Sequence, residues 1–389
     1  MKYTTLVLND LSVEIKLSAL NGEYHAIIEG NNPLLDAQTQ YANIEQAVER
    51  LALSAVPVLK RYFVSDAVNA STSLSNHAST SLSNHALSNR WLSEVEATVA
   101  VSVVQQPPLS GAKVALWVYF VEDAKIKSTG ENAIAMQHSA YRHLFDMQLH
   151  NHHKDEFAQT EGLFNHYTQK LKNEGCTLKD NAIRTWIYVQ GVDTHYADMV
   201  KARKLHFYEQ GLTEDTHYIA STGIEGKYIH PETTVLMDSY AIAGISEAQV
   251  TYLKGATHLN PTHEYGVTFE RATAVDYGDR RHIFVSGTAS IDNKGEILHP
   301  LNIGKQTART LENIEVLLQE GGAAMQDIAQ MTVYLRDTGD YCTVSALLEE
   351  NFPDIPKVIV WAPVCRPGWL IEIECIAVKA IENKEYAVF

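Results

Sequence analysis

The chain has 389 residues, 45% of them hydrophobic and 20% charged, which is ordinary for a globular protein with room for two or three domains. Its formal net charge of −16 argues against a nucleic-acid partner, because duplex binding depends on neutralising phosphates with Lys and Arg. A small anionic ligand answers to local arginines instead, and remains open.

The N-terminus, Met1 to Asp10, has no apolar core of signal-peptide length, and no run approaches the roughly 20 apolar residues of a membrane span. Cys176, Cys342, Cys365 and Cys375 form no CxxC pair and no disulfide framework. No membrane partner is indicated, and a cytoplasmic location is expected.

In chain order, an apolar stripe at Tyr41, Ile44, Val48 and Leu51 predicts a helix, and Leu59 to Val64 a strand. Ser71 to Ala78 then recurs identically as Ser79 to Ala86. A tandem duplication of this kind fits a surface loop, where insertions cost little, and its two histidines are read as carrying no chemistry. Strands are predicted over Glu96 to Gln105 and Val114 to Phe120. Next, Leu149-His150-Asn151-His152-His153 clusters three histidines, with His138 and His143 nearby. With no spaced acidic or cysteine partner of zinc type, it reads as a polar segment before a helix, and no metal is expected.

From here a repeat sets the architecture. A shift of 147 residues matches Gln159-Thr160 to Gln306-Thr307, Leu171 to Leu318, Gly175 to Gly322, Asp180 to Asp327, Ala182 to Ala329, Thr185 to Thr332 and Asp193 to Asp340. Fixed-period similarity marks a duplicated structural unit. Each copy reads as β-hairpin, helix, strand, helix and closing strand, the last being Val235 to Ala243 or Leu370 to Val378. The predicted fold class is α+β, with mixed sheets and helices packed on one face. The predicted domains are a partial N-terminal unit over 1–94 with an expanded loop at 71–89, a full unit over 95–255, and a C-terminal unit over 256–389.

The closing strand Leu370-Ile371-Glu372-Ile373-Glu374 puts two carboxylates on one face of an apolar strand. Buried carboxylates cost free energy unless paired or functional. Glu374 could raise the pKa of Glu372 by like-charge coupling, and the preferred reading places it in a subunit contact. Gly287 within a strand marks close backbone approach or a bulge. Ser221-Thr222-Gly223 offers hydroxyl and N–H donors, or only a tight turn.

Phe284-Val285-Ser286-Gly287, the Gln306-Thr307 helix ending at Gly321-Gly322, Val333-Tyr334-Leu335-Arg336-Asp337 and Ile371 to Val378 together resemble the Rid/YjgF family of reactive-intermediate deaminases, whose members are trimers with ligand clefts between subunits. The resemblance implies tandem Rid/YjgF-like (chorismate-mutase-like) units, as a monomeric pseudo-trimer or a homo-oligomer. Gln105-Gln106-Pro107-Pro108-Leu109, Ala115 to Tyr119, Arg184 to Tyr188, Ala220 to Gly226, Phe269-Glu270-Arg271-Ala272 and Cys365-Arg366-Pro367 ahead of Glu372 resemble the chorismatases more closely. The deaminating Rid proteins use an arginine on the penultimate strand. That position falls near Lys357, and no arginine lies between Arg336 and Arg366. Arg and Lys are not equivalent for forked carboxylate binding, so the departure weakens the deaminase reading.

The chorismatase resemblance implies conversion of chorismate to pyruvate and a hydroxybenzoate, with Glu372 as general acid and Cys365 marking the 3-hydroxybenzoate-forming type. The partner is then a small dianionic substrate. Its carboxylates call for forked donors, and Arg271, Arg203, Arg184 and Arg366 are the candidates, each with a structural ion pair as its alternative. Arg336, beside Asp337, reads as an ion pair. Phosphate loops and dinucleotide fingerprints are absent, so no cofactor is expected. Imine or enamine hydrolysis, and non-catalytic binding of a small acid, are the rival functions.

Overall fold

A computed structural model describes residues 1–51, 53–69 and 98–389. It contains three six-stranded mixed sheets of one topology. The first holds β1 (Lys2–Leu8), β2 (Val13–Leu20), β3 (Glu23–Gly30), β4 (Ala55–Val64), β5 (Ala100–Gln105) and β6 (Val114–Glu122), with α1 (Ala37–Arg50) against it. The second runs β7 (Lys125–Gly130), β8 (Ala133–His138), β9 (Tyr141–Leu149), α2 (Glu156–Asn173), β10 (Ala182–Val189), α3 (Val192–Glu209), β11 (Ala220–Glu225) and β12 (Val235–Ala243). The third runs β13 (Val250–Leu253), β14 (Ala272–Asp276), β15 (Arg280–Ala289), α4 (Ile303–Glu320), β16 (Ile328–Leu335), α5 (Tyr341–Asn351), β17 (Lys357–Trp361) and β18 (Ile371–Ala380).

In each sheet the last strand inserts between the third and the fourth, giving orders 1-2-3-6-4-5, 7-8-9-12-10-11 and 13-14-15-18-16-17. The N-terminal unit is therefore complete in its strands, against the expectation of a partial copy over 1–94. The strands expected to open the second unit close the first: β6 pairs antiparallel with both β3 and β4, and β5 lies parallel to β4. The duplicated segment at 71–89 stands in the chain between β4 and β5, so the sequence after it reads as a fresh start. The duplication itself lies outside the described residues. The second and third sheets begin at Lys125 and Val250, where boundaries at 95 and 256 were expected.

The helices follow their predicted signals. Asp155 caps α2 by accepting from Ala158 N, and Asn302 caps α4 by accepting from Lys305 N. Leu163, Tyr167 and Leu171 on α2, and Ile314, Leu317 and Leu318 on α4, are buried at helical spacing. Each side chain of this size removed from water contributes about 1.5–3 kcal/mol. Gly175 and Gly322 follow with φ of +72° and +73°, a backbone state that favours glycine. Among the described residues no helix is long and apolar enough to cross a membrane.

One apolar cluster joins all three sheets, with Trp117, Trp186, Tyr240, Phe284 and Ile376 among its members. One edge of the third sheet and one edge of the second are closed by neighbouring units. Leu109 N donates to Ile359 O and Trp361 N to Pro107 O, so the Gln-Gln-Pro-Pro-Leu segment of the first unit docks on edge strand β17. On the second unit's edge, β11, Ile224 bridges Val364 and Ala220 bridges Glu270 of the third unit. Covered edges prevent unwanted strand pairing, and here they also create the walls of a cleft.

Candidate active site

Where β11 meets β15 and β18, a cavity of about 440 Å³ opens between the second and third units. Its floor is set by the pairing of β15 with β18, which places Ala289 opposite Glu372 and breaks register between Val285 and Thr288. Gly287 lies within that break, so the bulge and the close approach considered from sequence are both present. A Cβ on Gly287 would overlap Glu372 Oε1, and Gly287 N donates to Thr222 Oγ1 across the unit boundary at 2.9 Å.

Glu372 is buried at 5% exposure and lines the cavity, yet none of the hydrogen bonds or ion pairs found among the described residues is made by its carboxyl group. Burial pushes its pKa up to about 8, and the nearby Glu374 carboxylate adds to the rise, against the opposing charges of Arg184 and Arg271. The group is thus held as a neutral acid near pH 7.

Glu374, on the same strand face, has a different environment. Arg184 Nη2 donates to its Oε2 at 2.7 Å and Trp186 Nε1 to its Oε1 at 2.8 Å, all three side chains being buried. Arg184, expected at the substrate, therefore spends its charge on an inter-unit ion pair and does not reach the cavity wall; Thr222 Oγ1 accepts its remaining contact at 2.5 Å. The reason is geometric: β10 faces β18 across the unit boundary, which no spacing within one unit reveals.

The other candidates converge. Arg203, Arg271 and Arg366 line the cavity from three separate segments, with Ser221, Gly223 and Cys365. Arg203 Nε donates to Thr268 Oγ1 at 3.2 Å, and the Arg271 guanidinium donates to Asn260 O and Oδ1 at 2.9 and 3.0 Å. These bonds orient the guanidinium planes. Thr222 stands behind the wall and holds Gly287. Arg336 pairs with Asp193 at 2.6 Å, an ion pair as expected but not with its neighbour Asp337.

The aromatic lining side chains Tyr196, Phe269 and Trp369 were not among the candidates read from sequence, nor were the cations Lys201 and Lys204. Tyr196 shares one face of α3 with Val200 and Arg203, a three-to-four-residue spacing that would have pointed to it. Gly223 makes room for its ring, since a Cβ there would stand 2.9 Å from Tyr196 Cε2. Cys365 is a protonated thiol, its pKa pushed up to about 12 by burial and by Glu372. Trp369 stacks under Arg366, whose guanidinium carbon lies 5.1 Å from the ring centre. The arrangement offers a protonated acid, several guanidinium groups and an aromatic wall, which suits a small dianionic molecule. Among the described residues it offers no set of side chains poised for a metal.

Comparison with known proteins bears on the fold and the family. The family described as endoribonuclease L-PSP matches residues 270–379. A RutC family protein of Pyrococcus abyssi is 39% identical over 100 residues, which cover 25% of this chain and 78% of the relative. The 3-aminoacrylate deaminase RutC of Acinetobacter baylyi is 29% identical over 97 residues, covering 24% of this chain and 77% of its own. Among solved structures, a chorismatase superposes on 93% of this chain and 99% of its own with a TM-score of 0.63 at 17% identity. That likeness is one of fold, and it extends over all three units.

Proposed function

The chain belongs to the RutC (Rid/YjgF) family, and we propose that it is a chorismatase-like enzyme that converts chorismate to pyruvate and a hydroxybenzoate, 3-hydroxybenzoate being the expected isomer. The observation that carries this reading is Glu372: a buried acid, kept protonated, on the wall of a cavity that arginines enter from three directions.

Release of pyruvate from an enol ether begins with a proton delivered to the terminal vinyl carbon. The resulting oxocarbenium is then captured by water, giving a hemiketal that collapses to pyruvate and the ring alcohol, which aromatises by losing water. Alternatively, the ring hydroxyl next to the ether attacks the ether-bearing carbon, the C–O electron pair leaves with pyruvate, and the ring aromatises by shifting a proton. A carboxylic acid whose pKa lies near the working pH is suited to the first step. Arg203, Arg271 and Arg366 hold the two carboxylates by charge-assisted bonds, which fixes the ether oxygen and vinyl group relative to Glu372. The Gly287 backbone lets the substrate and the acid share a small volume. Cys365, a neutral thiol beside the acid, lines the wall on which the ring's fate is decided, and its position supports the rearranged aromatic product.

The rival reading, hydrolysis of an imine or enamine, draws on the name of the Acinetobacter relative. Two observations weigh against it. The strand facing Glu372 from the second unit, β11, reads Ala-Ser-Thr-Gly-Ile-Glu and carries no arginine. Lys357, nearest the deaminases' arginine position, sits in a different cleft, where it bonds Phe352 O at 2.9 Å and pairs with Glu349.

Incubation with chorismate, with pyruvate coupled to a dehydrogenase and the aromatic product identified by mass and retention time, tests the assignment. Rapid consumption of an imine derived from 2-aminoacrylate, with chorismate untouched, would replace it by the rival. Thermal stabilisation by chorismate without turnover would make the cleft a binding site only.

A further inference from the structure

The cleft that holds Glu372 is opposite in sign to the molecule around it. The chain carries 47 acidic and 31 basic residues, yet the cavity wall contains five cations, Lys201, Arg203, Lys204, Arg271 and Arg366, against one acid, Glu372. The cleft between the third and first units does not share this character. It sets Lys16 and Lys357 among Glu14, Glu29 and Glu349, and both lysines are spent on Glu349, at 2.8 and 2.7 Å.

The five cations stand at different depths. Arg203 and Arg271 are buried, at 1% and 6% exposure, Arg366 is half-buried, and Lys201 and Lys204 are exposed. Helix α3 produces this layering. Tyr196, Val200 and Arg203 form one row of its cleft-facing side and Ala197, Lys201 and Lys204 the next, at the spacings of three and four residues that align side chains on a helix. The second row lies at the rim. The ion pairs of the described residues engage Lys16, Lys60, Lys154, Lys170, Lys357 and Lys379, and neither Lys201 nor Lys204. Of the acids on α3, Asp193 is held by Arg336, and Asp198 and Glu209 do not line the cleft. Lys201 Nζ stands 5.6 Å from the Phe157 ring centre, a contact that leaves its charge in place.

We propose that Lys201 and Lys204 recruit the substrate, forming an anion-steering rim that draws a small dianion towards the buried arginines and favours it over monoanions. The inference rests on the dianionic substrate proposed above and adds the residues that bring it in. A strongly negative protein repels a dianion, but charges beyond about 8 Å are screened at physiological ionic strength, so the potential at the mouth decides entry. Lysine suits that place. Its compact, hydrated charge on a flexible stem attracts without clamping, while the planar guanidinium groups below make the forked bonds. A monoanion gains less from the same potential than a dianion does.

Two measurements on the full chain test the rim: steady-state kinetics with chorismate, and stopped-flow binding of isophthalate, an unreactive dicarboxylate. The second is read by tryptophan fluorescence, since Trp369 stands in the wall. In Lys201→Gln combined with Lys204→Gln, kcat/KM for chorismate and the association rate of isophthalate should both fall ~10-fold at low ionic strength. kcat and circular dichroism should stay as in the wild type. The difference should close at ~1 M salt, where the Debye length is about 3 Å, and the monoanion benzoate should lose less. Equal kcat/KM and equal isophthalate association in variant and wild type, a loss confined to kcat, or no isophthalate binding by the wild type would overturn the rim. Chorismate turnover by the wild type would still stand in each case. Conversely, a wild type inert to chorismate whose isophthalate association still depends on both lysines would remove the proposed reaction and keep the rim.

Discussion

A Cβ built on Gly287 would stand 2.8 Å from the carboxyl carbon of Glu372, so the acid lies directly on the glycine's backbone. Gly287 N is itself held by Thr222 from the neighbouring unit. The position of the acid therefore depends on both sides of the cleft.

Gly287→Ala should leave the fold intact and displace the carboxyl group. Misplacing a reacting group by about 1 Å can cost ~100-fold in rate, and a loss of that order in kcat is expected, with circular dichroism unchanged. Wild-type kcat in this variant would show that Glu372 does not need its present position.

The raised pKa of Glu372 sets two pH dependences. Turnover needs the acid form, so kcat should fall about tenfold per pH unit above about 8. For stability, the folded state favours the neutral form. Its contribution is full below the ordinary value of 4.5 and is lost as the pH rises to about 8, levelling off beyond. Glu372→Gln removes this loss, so thermal melts should show the variant gaining on the wild type from pH 4.5 to 8 and not further.

Arg184 and Glu374 form a buried pair across the unit boundary, and removing one partner strands the other charge. Arg184→Ala should destabilise the chain by about 3–5 kcal/mol in denaturant unfolding. Arg184→Met combined with Glu374→Leu should cost much less, because the pair is then replaced by apolar surface.

The closing strand of the second unit, β12, carries a buried acid whose surroundings differ from those of Glu372. Asp238 is fully buried, accepts from Arg61 Nη2 at 3.0 Å and from Gln148 N at 2.9 Å, and Arg61 is stacked 4.3 Å from the Trp186 ring centre. An acid so engaged cannot donate a proton to a ligand. Asp238→Asn should lower stability and leave the specific activity of the folded fraction unchanged.

Cys365→Ala should retain pyruvate release and change the companion product, read by mass and retention time. An unchanged aromatic product would remove the thiol from product control.

Much of this was legible in one dimension, for reasons that particular residues illustrate. The stripes of α2 and α4 and the alternation around Glu372 are local patterns, and local patterns survive folding. That Gly287 meets Glu372 was not legible, because the register of β15 on β18 joins residues more than 80 positions apart and no local pattern sets it. β5 and β6 were assigned to the wrong unit because the duplicated segment separates them from β4, and a parallel pair joined by a long connection leaves no mark in sequence. Arg184 was misread because its partner Glu374 belongs to another unit.

The central claim is that Glu372, and not the buried Asp238 of β12, delivers the proton. Pyruvate release from chorismate, measured side by side for the wild type, Asp238→Asn and Glu372→Gln, tests it most directly. The account predicts turnover in the first two and a loss of ~100-fold or more in the third, with chorismate still bound. Wild-type turnover by Glu372→Gln would contradict it.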